Sequence, residues 1–205
     1  MPNIVSIFNN CFLLPVICIV ILLFFSDKGI KKDRWFIILA FLFSIVGDWF
    51  LSHRHGLSSR FVSGIVWFFF AHLSYLIFCL KNGRIPKRFL QIILIAYTLF
   101  FFIFLRQGIS EPILLIAVFV YTVVSCFSLA TSFGLTLSFA SHWFFFAGIT
   151  SLVFSDTIIA CREFLDFNQY AFLIRPTYHF SQILITVALL FKTQNEQPPH
   201  KRLKY

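Results

Sequence analysis

Seven apolar stretches of about bilayer-spanning length follow one another with only short connections, and this constrains the fold more than any other feature of the chain. They run over residues 4–25, 35–52, 61–80, 89–105, 111–131, 139–161 and 169–191. A helix of about 20 apolar residues covers the hydrocarbon core. Hydrocarbon admits only helices and closed barrels, because each backbone polar group needs an internal partner there. The expected fold is an all-α polytopic membrane helix bundle of about seven transmembrane helices. Residues 1–191 are expected to form one membrane domain and 192–205 a polar cytoplasmic tail. Composition agrees: 59% of residues are hydrophobic and 12% charged, against about 25% charged in soluble domains. The 31 phenylalanines make the helices bulky and lipid-facing over much of their surface. The first stretch has no basic residue before it and no small-residue cleavage site after it, so it is expected to be retained as a helix.

Basic residues predict the orientation. The first connection carries Lys28, Lys31, Lys32 and Arg34, the third Lys81, Arg84, Lys87 and Arg88, and the tail Lys192, Lys201, Arg202 and Lys204. With seven spans these lie on one side, opposite Arg54, Arg60, Arg106 and Arg162. The expected topology has the N-terminus outside and the C-terminus in the cytoplasm, in a bacterial inner membrane. The net charge of +9 then reflects topology and attraction to anionic lipid. Nucleic acid is not expected as a partner, since no soluble basic face exists to dock it. The five cysteines have neither CxxC nor metal-ligand spacing and are expected to be buried thiols.

Only two of the eight acids fall inside apolar segments: Asp48 in FSIVGDWFL and Asp156 in SLVFSDTII. An ionisable group at membrane depth is costly and marks a functional site. On the expected topology both lie in the outer half of their spans. His72 lies near the middle of the third span, and Arg175, Tyr178, His179 and Gln182 in the outer half of the seventh, at similar depth. His72 is followed by Leu-Ser74 and His179 by Phe-Ser181. Each His trails an intramembrane Asp, by 24 and 23 residues. A 3+1+3 arrangement of two parallel pseudo-repeats is one expectation from this spacing.

Two carboxyl groups in one low-dielectric cavity titrate apart, so one holds its proton while the other is ionised. Such a pair suits acid/base cleavage of an acid-labile ether or acetal-like bond, as in glycoside hydrolysis. The plainer alternative is that each Asp only bonds neighbouring helices, Asp48 to a Ser or Tyr and Asp156 to Ser155. His72 is a candidate proton relay or orienting partner of Asp48. Arg60 and Arg175, at the outer mouths of their helices, are candidates to hold a phosphate, with interfacial snorkelling the simpler role. A metal held by Asp48, Asp156 and His72, and a Ser–His–Asp hydrolase using Ser44, Ser74, Ser155 or Ser181, are further alternatives. Neither HExxH nor G-x-S-x-G occurs. A small transporter or lipid-binding protein would use the same acids to bind protons or a cation, and a structural subunit is a third reading.

These motifs resemble the YhhN-like lysoplasmalogenase family. The matching pieces are Ser44-Ile-Val-Gly47-Asp48, then Phe70-Ala71-His72-Leu-Ser-Tyr75, then Gly148 through Leu152 to Ser155-Asp156, and finally Tyr178 with Gln182-Ile-Leu-Ile. Their order holds over residues 35–191. The resemblance implies a membrane hydrolase that cleaves the vinyl-ether bond of lysoplasmalogens or a related lysophospholipid. The products are a fatty aldehyde and a glycerophospho-headgroup, and neither cofactor nor metal is implied. It also implies Asp48 and Asp156 as the active acids, with Ser44, His72, Tyr75, Ser155, Tyr178 and Gln182 around them. Members usually have eight spans where seven are counted here.

Overall fold

The computed structural model describes residues 12–25, 33–53 and 58–195, and among these the only regular structure is helical. The described residues form seven α-helices: α1 Leu13–Phe25, α2 Arg34–Ser52, α3 Ser58–Asn82, α4 Lys87–Ile103, α5 Pro112–Phe133, α6 Phe139–Leu165 and α7 Ile174–Asn195. Five of them, α2 to α6, are long and apolar enough to cross a membrane. The chain is therefore an integral membrane protein. Part of the first expected span, with Cys11, and most of the expected tail lie outside the described residues, as do Arg54 and His55.

Local chemistry sets the helix ends. Pro112 opens α5 at a position whose N–H would lack an intrahelical partner anyway. The Ser138 hydroxyl caps α6 by accepting from the Ser141 amide. Several boundaries differ from the expected ones. The seventh helix starts at Ile174 rather than 169, after a 3-10 turn over Ala171–Leu173. Pro176, with no N–H to donate, belongs in a first turn. The same helix continues past 191 to Asn195, so the beginning of the expected tail is helical. The sixth helix runs on to Leu165 and closes at Asp166, a left-handed residue with φ 53°.

α2 pairs most extensively with α3, and α6 with α7. Close approach comes from missing side chains. A Cβ on Gly47 would meet the Phe68 ring at 2.8 Å, one on Gly64 the Leu51 side chain at 2.8 Å, and one on Gly148 Ile185 at 2.7 Å. Contacts between α3 and α5, α5 and α6, and α7 and α1, with α1 also against α2, close the helices into a ring. α4 packs outside it on α5 and turns Ile92, Ile95, Leu99 and Phe102 outward. Phe24, Ile113, Phe139 and Phe172 are likewise well exposed, an apolar exterior that requires lipid as its solvent. Trp35, Trp49 and Trp143 are exposed near helix ends, where amphipathic rings suit the interface.

The two ends of the bundle are distinguishable. At one end the α3–α4 and α5–α6 connections meet backbone to backbone: the Arg84 amide donates to the Gly134 carbonyl (2.9 Å) and the Thr136 amide to that of Asn82 (3.0 Å). At the other, Gly108 after α4 lies so close to the Phe164 carbonyl that no Cβ fits between them. The centre is packed, with Phe78 stacked on Phe145 across α3 and α6 at 5.1 Å and Phe41, Ile149 and Ile185 fully enclosed.

Candidate functional site

A cavity of about 210 Å³ opens at the end where α2 finishes and α7 begins, and both intramembrane aspartates line it. Gly47 draws α2 onto Phe68 of α3, which places Asp48 at the cavity wall one residue later. Gly148 does the same for α6 against α7 two turns below Asp156. Leu51, Phe61, Phe68 and Ile159 form the apolar wall, and Arg162, Glu163 and Arg175 sit at the mouth. A second, smaller apolar cleft shares Leu51, Phe61, Phe68, Asp156 and Ile159 with it and continues past Ile65, Val118 and Phe164.

Each aspartate is held from the other half of the chain. Tyr178 of α7 donates its hydroxyl to Asp48 Oδ2 at 2.8 Å. Asp156 Oδ2 lies 3.1 Å from His72 Nε2 of α3 and accepts the Tyr121 hydroxyl of α5 at 2.6 Å. His72 is fully enclosed, and its Nδ1 lies 2.8 Å from Ser128 Oγ. Its ring meets Tyr75 and Tyr121 edge-on, with centroids 6.2 and 5.3 Å apart. Two carboxyl groups in one cavity, one against a phenol and one against an imidazole and a phenol, are differently placed for acid and base roles.

Several expected partners change. His72 pairs with Asp156, not Asp48, because the α3–α5 contact turns its face toward α6. Ser155 does not bond its neighbour Asp156; it faces α7 and donates to the Ile174 carbonyl at 3.0 Å, and it also lines the cavity. Ser44 is buried and interacts with Tyr75 and Tyr178, so it acts beneath the site. Gln182 is buried with neither amide atom partnered among the described residues; it bonds neither aspartate. Arg175 lines the mouth as expected, whereas Arg60 turns its guanidinium to the His53 carbonyl and ties the α2 end to α3. His142 lies at the opposite end, 2.8 Å from the Leu135 carbonyl. Cys18, Cys79 and Cys126 are buried free thiols and Cys161 is half-buried. Among the described residues no three His, Cys, Asp or Glu side chains group to hold a metal.

Sequence reasoning missed Tyr121, Ser128, Arg162 and Glu163. A signal for the first two was available: Tyr121, Ser125, Ser128 and Ser132 recur at helical spacing and form a polar stripe on α5. The arginine and glutamate beside each other at a helix end carried no such mark.

No curated protein matches the chain, and no solved structure matches it. A family model described as the YhhN family matches residues 8–189, which takes in every helix that lines the cavity, and on that match the chain belongs to the YhhN family.

Proposed function

We propose that the chain is a membrane hydrolase that cleaves the vinyl-ether bond of a lysoplasmalogen or related single-chain ether lipid, with Asp48 and Asp156 as its two working carboxyl groups. One observation carries the reading: both aspartates line a single cavity at one end of the bundle. Its shape suits an amphiphile. The charged mouth with Arg162 and Arg175 complements a phosphate headgroup, and the apolar cleft past Ile65 and Phe164 complements one hydrocarbon chain. The stacked Phe78 and Phe145 below the site favour this over a transporter, which needs a polar route to the far end.

The chemistry requires no serine nucleophile. One carboxyl group gives its proton to the β-carbon of the vinyl ether, forming a C–H bond and leaving an oxocarbenium ion. The other, as carboxylate, stabilises that cation and takes a proton from the water that adds to it. The hemiacetal then breaks its C–O bond to give aldehyde and alcohol. In that step the hemiacetal hydroxyl gives its proton to the first carboxylate and the leaving oxygen takes the proton held by the second, so one water is consumed and both carboxyl groups return to their starting states.

The test is aldehyde release from a lysoplasmalogen by purified protein in detergent. Asp48→Asn and Asp156→Asn are each expected to lower turnover by about 10²- to 10⁴-fold, the range for a lost acid or base. Full activity in either variant ends the two-carboxyl mechanism. Lipid binding without aldehyde from the unaltered protein reassigns the cavity to a binding or transport role.

A further inference from the structure

Hydrogen-bond directions around Asp156 can be followed from a fixed end. The Ser128 hydroxyl has one proton, and it is donated to the Ser125 carbonyl at 3.0 Å. Toward His72 Nδ1, 2.8 Å away, Ser128 Oγ is therefore an acceptor, and Nδ1 carries a hydrogen. In a neutral imidazole Nε2 is then bare and can only accept. The atom facing it, Asp156 Oδ2 at 3.1 Å, already accepts the Tyr121 hydroxyl. A bond between Oδ2 and Nε2 needs a proton from the carboxyl side. The alternative, an imidazolium–carboxylate pair, separates charge around a ring that is only 1% exposed, and desolvation opposes it.

We infer that Asp156 is the protonated carboxyl of the site and that His72, its tautomer set by Ser128, is the positioning residue that keeps the proton there. The chain runs one way: Tyr121 O–H to Asp156 O–H to His72, then N–H to Ser128 and O–H to the Ser125 carbonyl. Asp48 accepts a phenolic hydrogen from Tyr178, and among the described residues no imidazole stands against it as His72 stands against Asp156. Resting on the hydrolase reading, this makes Asp156 the acid. The protonation assignment itself holds with or without that activity.

Other ionisable groups face this pair from every side: Asp48 from α2, Tyr75 from α3, Tyr121 from α5, Arg162 and Glu163 from α6, Arg175 and Tyr178 from α7. Tyr97 of α4 reaches α6 one residue away, through Thr157. Of these only Tyr121 touches Asp156 Oδ2, and it does so as a donor.

Infrared spectroscopy of the purified protein without substrate separates the two claims. At neutral pH a carbonyl stretch of an un-ionised carboxyl is expected, lost in Asp156→Asn and kept in Asp48→Asn. Its loss in Asp48→Asn instead, or its absence from the unaltered protein, overturns the assignment whatever the activity. If the hydrolase reading also holds, His72→Leu removes the acceptor. The alkaline limb of its pH–activity profile then moves down by about one pH unit, the tenfold effect of one such hydrogen bond. His72→Gln, whose amide oxygen reaches toward the Nε2 position, recovers part of the shift. Ser128→Ala, which frees the tautomer while leaving His72 in place, moves the limb in the same direction. Lower turnover with an unmoved profile in all three variants shows His72 to be structural only.

Discussion

At the residue scale, the two aspartates are set apart by what surrounds them. Tyr178 is the one hydrogen-bond donor shown on Asp48. Tyr178→Phe keeps the buried ring against Phe68 (6.3 Å between centroids) and deletes only the hydroxyl. Leaving that carboxyl oxygen without its donor costs about 1–3 kcal/mol, so turnover is expected to fall roughly tenfold or more with the unfolding midpoint little changed. Equal turnover in Tyr178→Phe removes the phenol from the site. The mouth makes a different prediction. Arg175→Ala and Arg162→Ala are expected to weaken KM for a phosphate-bearing lipid more than kcat, since a headgroup contact is uniform binding. Arg60→Ala is expected to leave KM unchanged, because its guanidinium is turned to the His53 carbonyl. A KM effect from Arg60 alone reverses that assignment.

At the element scale, glycines let the paired helices approach closely enough to bring side chains from four helices to one cavity. Gly148→Val places a Cβ where Ile185 stands at 2.7 Å and the Ser181 carbonyl at 3.0 Å. The carbonyl belongs to a rigid helix, so overpacking of about 1–3 kcal/mol is expected, seen as a lower unfolding midpoint in detergent. An unchanged midpoint means that α6 and α7 stand farther apart. The polar stripe on α5 shows why part of the site escaped sequence reasoning. An Asp inside FSIVGDWFL is conspicuous by its charge. A Ser or Tyr in an apolar run usually satisfies itself on the carbonyl one turn back, as Ser125 and Thr122 do here. Only the packing of α5 on α3 tells that Ser128 also meets an imidazole.

At the scale of the whole molecule, the cavity and the two connections that meet at Gly83 and Gly134 lie at opposite ends of the bundle. The charge bias puts Lys81, Arg84, Lys87 and Arg88 on the cytoplasmic side, so the cavity mouth is expected to face outward. With the native cysteines replaced, Asn168→Cys in the exposed α6–α7 connection is expected to react with an impermeant thiol reagent in intact cells. Arg84→Cys, exposed at the other end, is expected to react only after lysis. The reverse pattern turns the site toward the cytoplasm and sinks the orientation.

The helical architecture and the membrane as solvent were legible in the sequence alone, and Asp48 and Asp156 stood out as acids inside apolar runs, because length, hydropathy and a lone charge are properties of single segments. Meeting in one cavity was an expectation from matched depth along the chain. The partners were not legible: Tyr178 on Asp48, His72 with Tyr121 on Asp156, Arg162 rather than Arg60 at the mouth. Each is a contact between helices far apart in sequence, decided by which face packing turns inward. An apolar helix with one polar residue has no preferred face until its neighbours supply one.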